Sequence, residues 1–248
     1  ILQSVDVEIN GSRPWDLQVH DERFYSRVLS GGSLAFGESY MDEWWDCKAL
    51  DQLSEKLLSG HLDKQVRASS PSFFLVLLRA YLVNPQSKKR AYIVGEKHYD
   101  VGNDLFLLML DERMNYSCGY WRNAENLDQA QINKLDLICR KMHLRPGMNV
   151  LEIGCGWGGF AKYAAENYGV SVDGVTISKQ QVEFAQDSCK GLNVSIELKD
   201  YRELNGQYDC IVSVGMFEHV GYKNYKKYME VVHRCLKEDG LFLLHTIG

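Results

Sequence analysis

Apolar and polar positions follow two different rhythms along this chain, and the change of rhythm divides it. Near the start, Val5, Val7 and Ile9 alternate with polar residues, as do Trp15, Leu17 and Val19, with Asn10-Gly11 between them. Period-two alternation around Asn-Gly predicts a hairpin over residues 5–19. Glu22 to Leu29 has helical spacing, and Gly31-Gly32 should end that helix. Residues 33–45 hold six large apolar side chains. They read either as the core of a small domain or as a partly exposed, lipid-facing surface. Helices are expected over 49–58 and 71–83, with a polar, turn-like stretch over 59–70 between them. Asn84-Pro85 is a helix breaker, and Lys88-Lys89-Arg90 follows it. Such a run is a solvated linker or, alternatively, a patch attracted to anionic lipid.

From about residue 98 the rhythm alternates between strand and helix. A helix over 127–143 places Ile132, Leu135, Cys139 and Met142 on one face, and Pro146-Gly147 ends it. Strands follow at 149–154, 170–177, 194–199, 208–214 and 240–247, with helices at 159–167, 179–189 and 222–236. The third connection is irregular. Ile211, Val212, Val214 and Met216 suit a strand buried on both faces. Alternating strands and helices predict an α/β fold, a parallel sheet covered on both sides. The organisation read from this pattern is a small α+β domain over 1–83, a linker over 84–97 and a larger α/β domain over 98–248.

Composition adds bounds. The chain has 248 residues, 45% apolar and 25% charged, enough for one large domain or two smaller ones. With a net charge of -5, no bulk basic character argues for nucleic acid. Seven scattered cysteines without C-x-x-C spacing fit a reducing cytoplasm better than a disulfide framework. The longest apolar run, Phe73 to Leu78, is far too short to span a bilayer. No H-x-x-x-H spacing suggests a metal site. The chain starts at Ile1 and stops at Gly248 inside or just after an apolar strand. A naked edge of that kind would invite aggregation, so the natural protein is expected to continue.

The chemistry gathers at Glu152-x-Gly154-x-Gly156-x-x-Gly159, between an apolar strand and a helix. Glycines there permit a tight turn and let a ligand approach the N–H groups at the helix start. A strand, a glycine turn and a helix form half of a nucleotide-binding crevice. A dinucleotide site would want an acid at the exit of the second strand, to hold ribose hydroxyls. That exit reads Thr176-Ile177-Ser178-Lys179-Gln180-Gln181, with no acid, and Asp173 lies mid-strand. Glu152 before the glycines instead resembles the first motif of S-adenosylmethionine-dependent methyltransferases.

Further motifs agree. Tyr116-Ser117-Cys118-Gly119-Tyr120-Trp121, Val175-Thr176-Ile177-Ser178, Ser213 to Gly221 and Leu244 to Gly248 join the glycine turn in one order. Together they resemble the cyclopropane-fatty-acyl-phospholipid synthases, and somewhat less the mycolic acid cyclopropane synthases. The phospholipid type carries an extra N-terminal domain, and residues 1–83, with Gly37-Glu38-Ser39-Tyr40-Met41-Asp42, look like it. The resemblance implies methyl transfer from S-adenosylmethionine to a cis double bond of an acyl chain in a membrane phospholipid. The resulting carbocation then loses a proton from the new methyl and closes a cyclopropane ring. In the family a bound bicarbonate is thought to take that proton.

Residue roles follow from the same resemblance. Gly154 and Gly156 would approach the cofactor with main chain only, Thr176 and Gln181 would meet the ribose, and Tyr116 and Ser117 would form a further cofactor-contacting pair. Tyr201 and Arg202 fall where the family flanks adenine, although many members carry Trp and an acid there. Glu218, Cys118, His245 and the backbone of Ile247 match the positions that cradle bicarbonate. Their ordinary readings are a small buried apolar residue for Cys118 and a satisfied core histidine for His245; His219 reads as structural. A tyrosine that completes the bicarbonate site in the family would lie beyond Gly248. The resemblance further implies a homodimer, placed in the cytoplasm at the inner face of the membrane.

Overall fold

The computed structural model describes residues 2–60 and 103–247. The expected helix over 71–83, the linker with Lys88-Lys89-Arg90 and the start near His98 lie outside the described residues. The chain divides into two compact units, Ile1–Val83 and Asn84–Gly248.

In the first unit, β1 (Gln18–Val19) pairs antiparallel with β2 (Trp45–Asp46), and α1 (Arg23–Met41) and α2 (Leu50–Ser59) pack beside them. The expected hairpin over 5–19 is not formed. Leu2–Val5 is a 3-10 turn, and only an isolated bridge joins Ile9 to Leu17. Buried Asp16 explains the difference. Its carboxylate accepts the backbone N–H groups of Glu8 and Arg13, both at 2.9 Å, so those donors are lost to a strand ladder.

The helix expected to end at Gly31-Gly32 instead kinks there and runs on to Met41. Gly32 takes φ 62 and ψ -143, a region open to glycine alone. Past the kink the apolar residues divide. Phe36 stacks on Trp45 at 4.3 Å between ring centroids, and the Trp45 indole N–H donates to the Phe36 carbonyl and the Ser39 hydroxyl, both at 3.1 Å. These rings join Val7, Leu17, Phe24 and Leu53 in a core. Leu34 and Met41 face outward, 70% and 82% exposed.

The second unit carries α3 (Asn103–Met109), α4 (Leu127–Lys141), β3 (Asn149–Ile153), α5 (Gly159–Tyr168), β4 (Ser171–Thr176), α6 (Lys179–Ser188), β5 (Val194–Leu198), β6 (Tyr208–Val214), α7 (Tyr225–Cys235) and β7 (Leu236–His245). The five strands form one sheet in the order β5-β4-β3-β6-β7, and every neighbouring pair is parallel. Side-chain alternation sends Val150, Val172 and Val212 into a core with α4 and α5. Leu151, Ile153, Val175 and Ile211 enter a second core with Tyr228, Val231 and Val232 of α7. A parallel sheet buried on both faces needs such apolar strands.

Three details depart from the sequence reading. The helix expected over 222–236 is a 3-10 turn at Tyr222–Asn224 followed by α7. Met216 lies past the end of β6, and Val214 is half-buried. On α4 the buried face includes Gln131, Lys134, Leu135, Ile138 and Cys139, whereas Ile132 is 39% exposed. Polar partners draw that helix face inward.

Candidate active site

The carboxyl ends of β3, β4 and β6 open into a cavity of about 760 Å³. Ligands in open parallel sheets bind at this edge, where strand order reverses direction. Here the reversal falls at β3, which continues to β4 on one side and has β6 on the other.

The turn after β3 forms one wall. Gly154 has φ 83, and a Cβ there would come within 2.6 Å of Met216 Cγ. Gly156 has φ 53, but nothing lies within 4 Å of where its Cβ would project. Gly154 is thus required by packing, whereas Gly156 leaves open space in which a ligand can meet bare main chain. The N–H groups of Gly154 and Cys155 both donate to Val175 O, at 2.9 and 3.0 Å, which ties the turn to β4.

Thr176 and Gln181 are buried in the wall of the cavity, and Thr176 Oγ1 donates to Gln181 Oε1 at 2.6 Å. Ser178 caps α6 by accepting Gln181 N–H at 3.3 Å, which fixes the residue at the strand exit. Tyr201 and Arg202 also line the cavity. Tyr201 lies 5.1 Å from the Tyr228 ring, in the second core. Arg202 pairs with Asp200 at 2.8 Å and lies over the Tyr201 ring at 4.8 Å. Tyr116 is exposed at the mouth, its ring 5.6 Å from Phe106, which packs on buried Trp157 at 4.7 Å.

Glu218 stands in the 3-10 turn Phe217–His219 after β6 and lines the cavity, as does Ile247. Thr246 Oγ1 donates to Glu218 Oε2 at 3.0 Å. Cys118 Sγ lies 3.4 Å from His245 Nε2, and His245 Nδ1 is buried with no hydrogen-bond partner among the described residues. Cys118, which is exposed, and His245 are not in the cavity wall itself, although Ser117 and Ile247 are. Of the four candidates, Cys118 and His245 meet each other, Glu218 is met instead by Thr246, which was not among them, and Ile247 lines the cavity beside Glu218.

Sequence reading passed over Gln131 and Lys134 on α4, and it gave Glu152 no role beyond the motif. All three are buried and line the cavity. Alternation along β3 places Glu152 on the α4 side, opposite to Leu151 and Ile153. It is 4% exposed, and its Oε2 has no hydrogen-bond partner among the described residues. Burial pushes its carboxyl up to about 8, against the opposing pull of Lys134 and the Ala161 N–H. Burial likewise pulls Lys134 down to about 8, opposed by Asp111 and Glu152. The signal that could have found them is Gln131-x-x-Lys134, two long polar residues one helical turn apart on an otherwise apolar face.

Residues 86–248 match the family described as mycolic acid cyclopropane synthetase. Over its whole length the chain is similar to the cyclopropane-fatty-acyl-phospholipid synthase of Escherichia coli strain K12, 57% identical over 251 aligned positions. The chain spans 65% of that relative's length. It is also similar to the solved structure of the cyclopropane synthase MmaA2 from Mycobacterium tuberculosis, with TM-score 0.61 and 38% identity over 62% of this chain and 56% of that one. The structure of mycolic acid cyclopropane synthase CmaA1 complexed with SAH and CTAB matches at TM-score 0.59 and 37% identity, over 61% of this chain and 55% of that one. The architecture is the Rossmann-like fold of S-adenosylmethionine-dependent methyltransferases. With the family match running from residue 86 to 248, well over half of its length, this chain belongs to the mycolic acid cyclopropane synthetase family.

Proposed function

We propose that this chain transfers a methylene group from S-adenosylmethionine to the cis double bond of unsaturated acyl chains in membrane phospholipids, forming a cyclopropane ring. The observation that carries this reading is one cavity joining the Gly154–Gly156 turn to Glu218, in a chain 57% identical to a synthase of that name. The cofactor fits by the chemistry of the wall. Gly156 leaves room for it, and buried Glu152 Oε2 and Gln131 Oε1 are acceptors without partners among the described residues, suited to its ammonium group. When bound, S-adenosylmethionine supplies an electrophilic methyl on a sulfonium.

The chain's own residues orient and shield. The Gly154–Gly156 main chain and the Thr176–Gln181 pair hold the ligand at the tips of β3 and β4. An alkene is a weak nucleophile, so alignment matters, and it can remove several kcal/mol of barrier. Leu135, Ile153, Phe160, Val175 and Val214 make much of the wall apolar and keep water from a cationic acyl chain. Glu218, with Cys118, His245 and the Ile247 N–H, would hold bicarbonate close to that chain. Glu218 and Ile247 line the cavity, and Cys118 meets His245 Nε2 at 3.4 Å, which supports the assignment. Held there, bicarbonate would supply a weak base for the proton lost from the new methyl.

The lipid reading draws support from exposed Leu105, Leu108, Tyr116, Tyr222 and Ile247; Tyr116 and Ile247 line the cavity, and Leu105 and Leu108 share α3 with cavity-lining Phe106. No helix among the described residues is long and apolar enough to cross a membrane. The membrane contact proposed is peripheral, at the cytoplasmic face. In this proposal residues 1–83 form the lipid-associated domain, 84–97 the linker and 98–248 the catalytic domain, in a homodimer. The test is incubation with labelled S-adenosylmethionine and vesicles of unsaturated phospholipid. Acyl chains heavier by one methylene support the reading. Label found only in soluble acceptors rejects it, and points to a methyltransferase of the same fold that acts on a small molecule.

A further inference from the structure

We infer that Lys134 and Gln131 are positioning residues that orient Ser117 to grip the amino-acid tail of the cofactor. The inference rests on the reading of the cavity as an S-adenosylmethionine site.

Its basis is a polar network on an otherwise apolar helix face. Lys134 is buried, and its Nζ donates to Ser117 Oγ at 2.9 Å and to Asn115 Oδ1 at 3.4 Å. Gln131 Nε2 donates to the Ser117 carbonyl at 2.8 Å. Asn115 is held in turn by Asp111, whose carboxylate accepts its side-chain amide at 2.8 Å and its backbone N–H at 2.7 Å. Tyr120 N–H donates to Ala130 O at 2.9 Å, so the loop over 115–120 is stitched to α4 along its length. Burying an ammonium is costly and needs a return. Packing alone would be served better by Leu or Met.

The return lies in the hydroxyl. An ammonium can only donate, so Lys134 occupies a lone pair of Ser117 Oγ. The hydrogen of Ser117 must then point to another acceptor, and Ser117 lines the cavity. It is therefore presented as a donor, beside a positive charge, to an anionic group of a ligand. On the same wall Glu152 Oε2 and Gln131 Oε1 are buried acceptors without partners among the described residues. No ion pair within bonding distance joins Lys134 to Glu152. Donors with a cation on one side and acceptors with an acid on the other match a zwitterion, a carboxylate and an ammonium on one carbon.

Calorimetry with two ligands tests this. S-adenosylhomocysteine carries the zwitterionic tail, and methylthioadenosine lacks it. Lys134→Met should weaken S-adenosylhomocysteine roughly 10- to 100-fold, the range for losing a charged hydrogen bond, while methylthioadenosine holds within about twofold. Ser117→Ala is the second variant, and it should show the same selective loss. The double variant should lose no more than the worse single one, because the two side chains act as one. An unchanged ratio of the two affinities overturns the inference. So does an equal loss of both ligands, the sign of a merely structural role. If the unaltered chain binds neither ligand, the cofactor reading itself fails, and the inference with it.

Discussion

Replacing Glu152 by Gln should stabilise the ligand-free protein at mildly alkaline pH. In the folded chain this carboxyl is buried at the cavity wall, and burial pushes it from 4.5 to about 8. A group held above its unfolded value keeps its proton longer when folded. It therefore costs stability once the unfolded chain has released that proton. The cost is absent below pH 4.5, grows up to about pH 8, and stays constant above. That interval is about 3.5 pH units, so at about 1.4 kcal/mol each the full cost is at most about 5 kcal/mol. Lys134 acts in the opposite sense. Held at about 8 instead of 10.5, it costs stability at neutral pH and ceases to do so as pH rises from about 8 to 10.5. The two together give the ligand-free protein a stability minimum near pH 8. Glu152→Gln removes the acidic arm of that curve but deprives Lys134 of a countercharge, so the net gain at pH 8 should be about 2–4 kcal/mol. Urea unfolding followed by tryptophan fluorescence measures it, with buried Trp157 as the reporter in this unit. Wild-type stability that is flat from about pH 5 to pH 8, or a variant less stable than wild type at pH 8, would refute the reasoning.

Other substitutions probe the rest of the site. Gly156→Ala places a methyl where nothing lies within 4 Å, so left-handed strain should cost only about 1–2 kcal/mol while S-adenosylhomocysteine binding falls tenfold or more by calorimetry. Gly154→Ala drives its methyl to 2.6 Å from Met216 and should lower the melting temperature further than Gly156→Ala does. Glu218→Gln should abolish methylene transfer to vesicles and leave S-adenosylhomocysteine affinity within about threefold, because it removes the carboxylate proposed to hold bicarbonate and no cofactor contact. Asn126 caps α4 by accepting Gln129 N–H, so Asn126→Ala should cost about 1 kcal/mol in urea unfolding, with a matching loosening of the 115–120 loop.

Much of the second unit was legible because local and global signals agree there. Apolar strands, helical spacing and glycines at left-handed positions all lead to one parallel sheet, and the motif residues of the glycine turn and of the β4 exit meet in one cavity. What was hidden depends on polar groups that find partners far along the chain. Asp16 captures the N–H groups of Glu8 and Arg13, and alternation cannot report that. On α4 the apolar count favours Ile132 inside, yet the carbonyl of Ser117 and the hydroxyl beside it turn Gln131 and Lys134 inward. Successive helix residues are about 100° apart, so turning Gln131 inward carries Ile132 off the buried face. For the proposed base site, the motifs name Glu218 and His245 as candidates. Nothing in their spacing reveals that Thr246 holds Glu218 while Cys118 meets His245.

Isotope retention tests the central claim most directly. The chain is incubated with unsaturated phospholipid vesicles and S-adenosylmethionine whose methyl carries three deuterium atoms, and the recovered acyl chains are weighed by mass spectrometry. Ring closure after loss of one deuteron leaves two deuterium atoms in a saturated three-membered ring, which is the predicted result. Acyl chains that keep all three deuterium atoms as a branched methyl, or that remain unlabelled while a soluble acceptor gains the methyl, would contradict it.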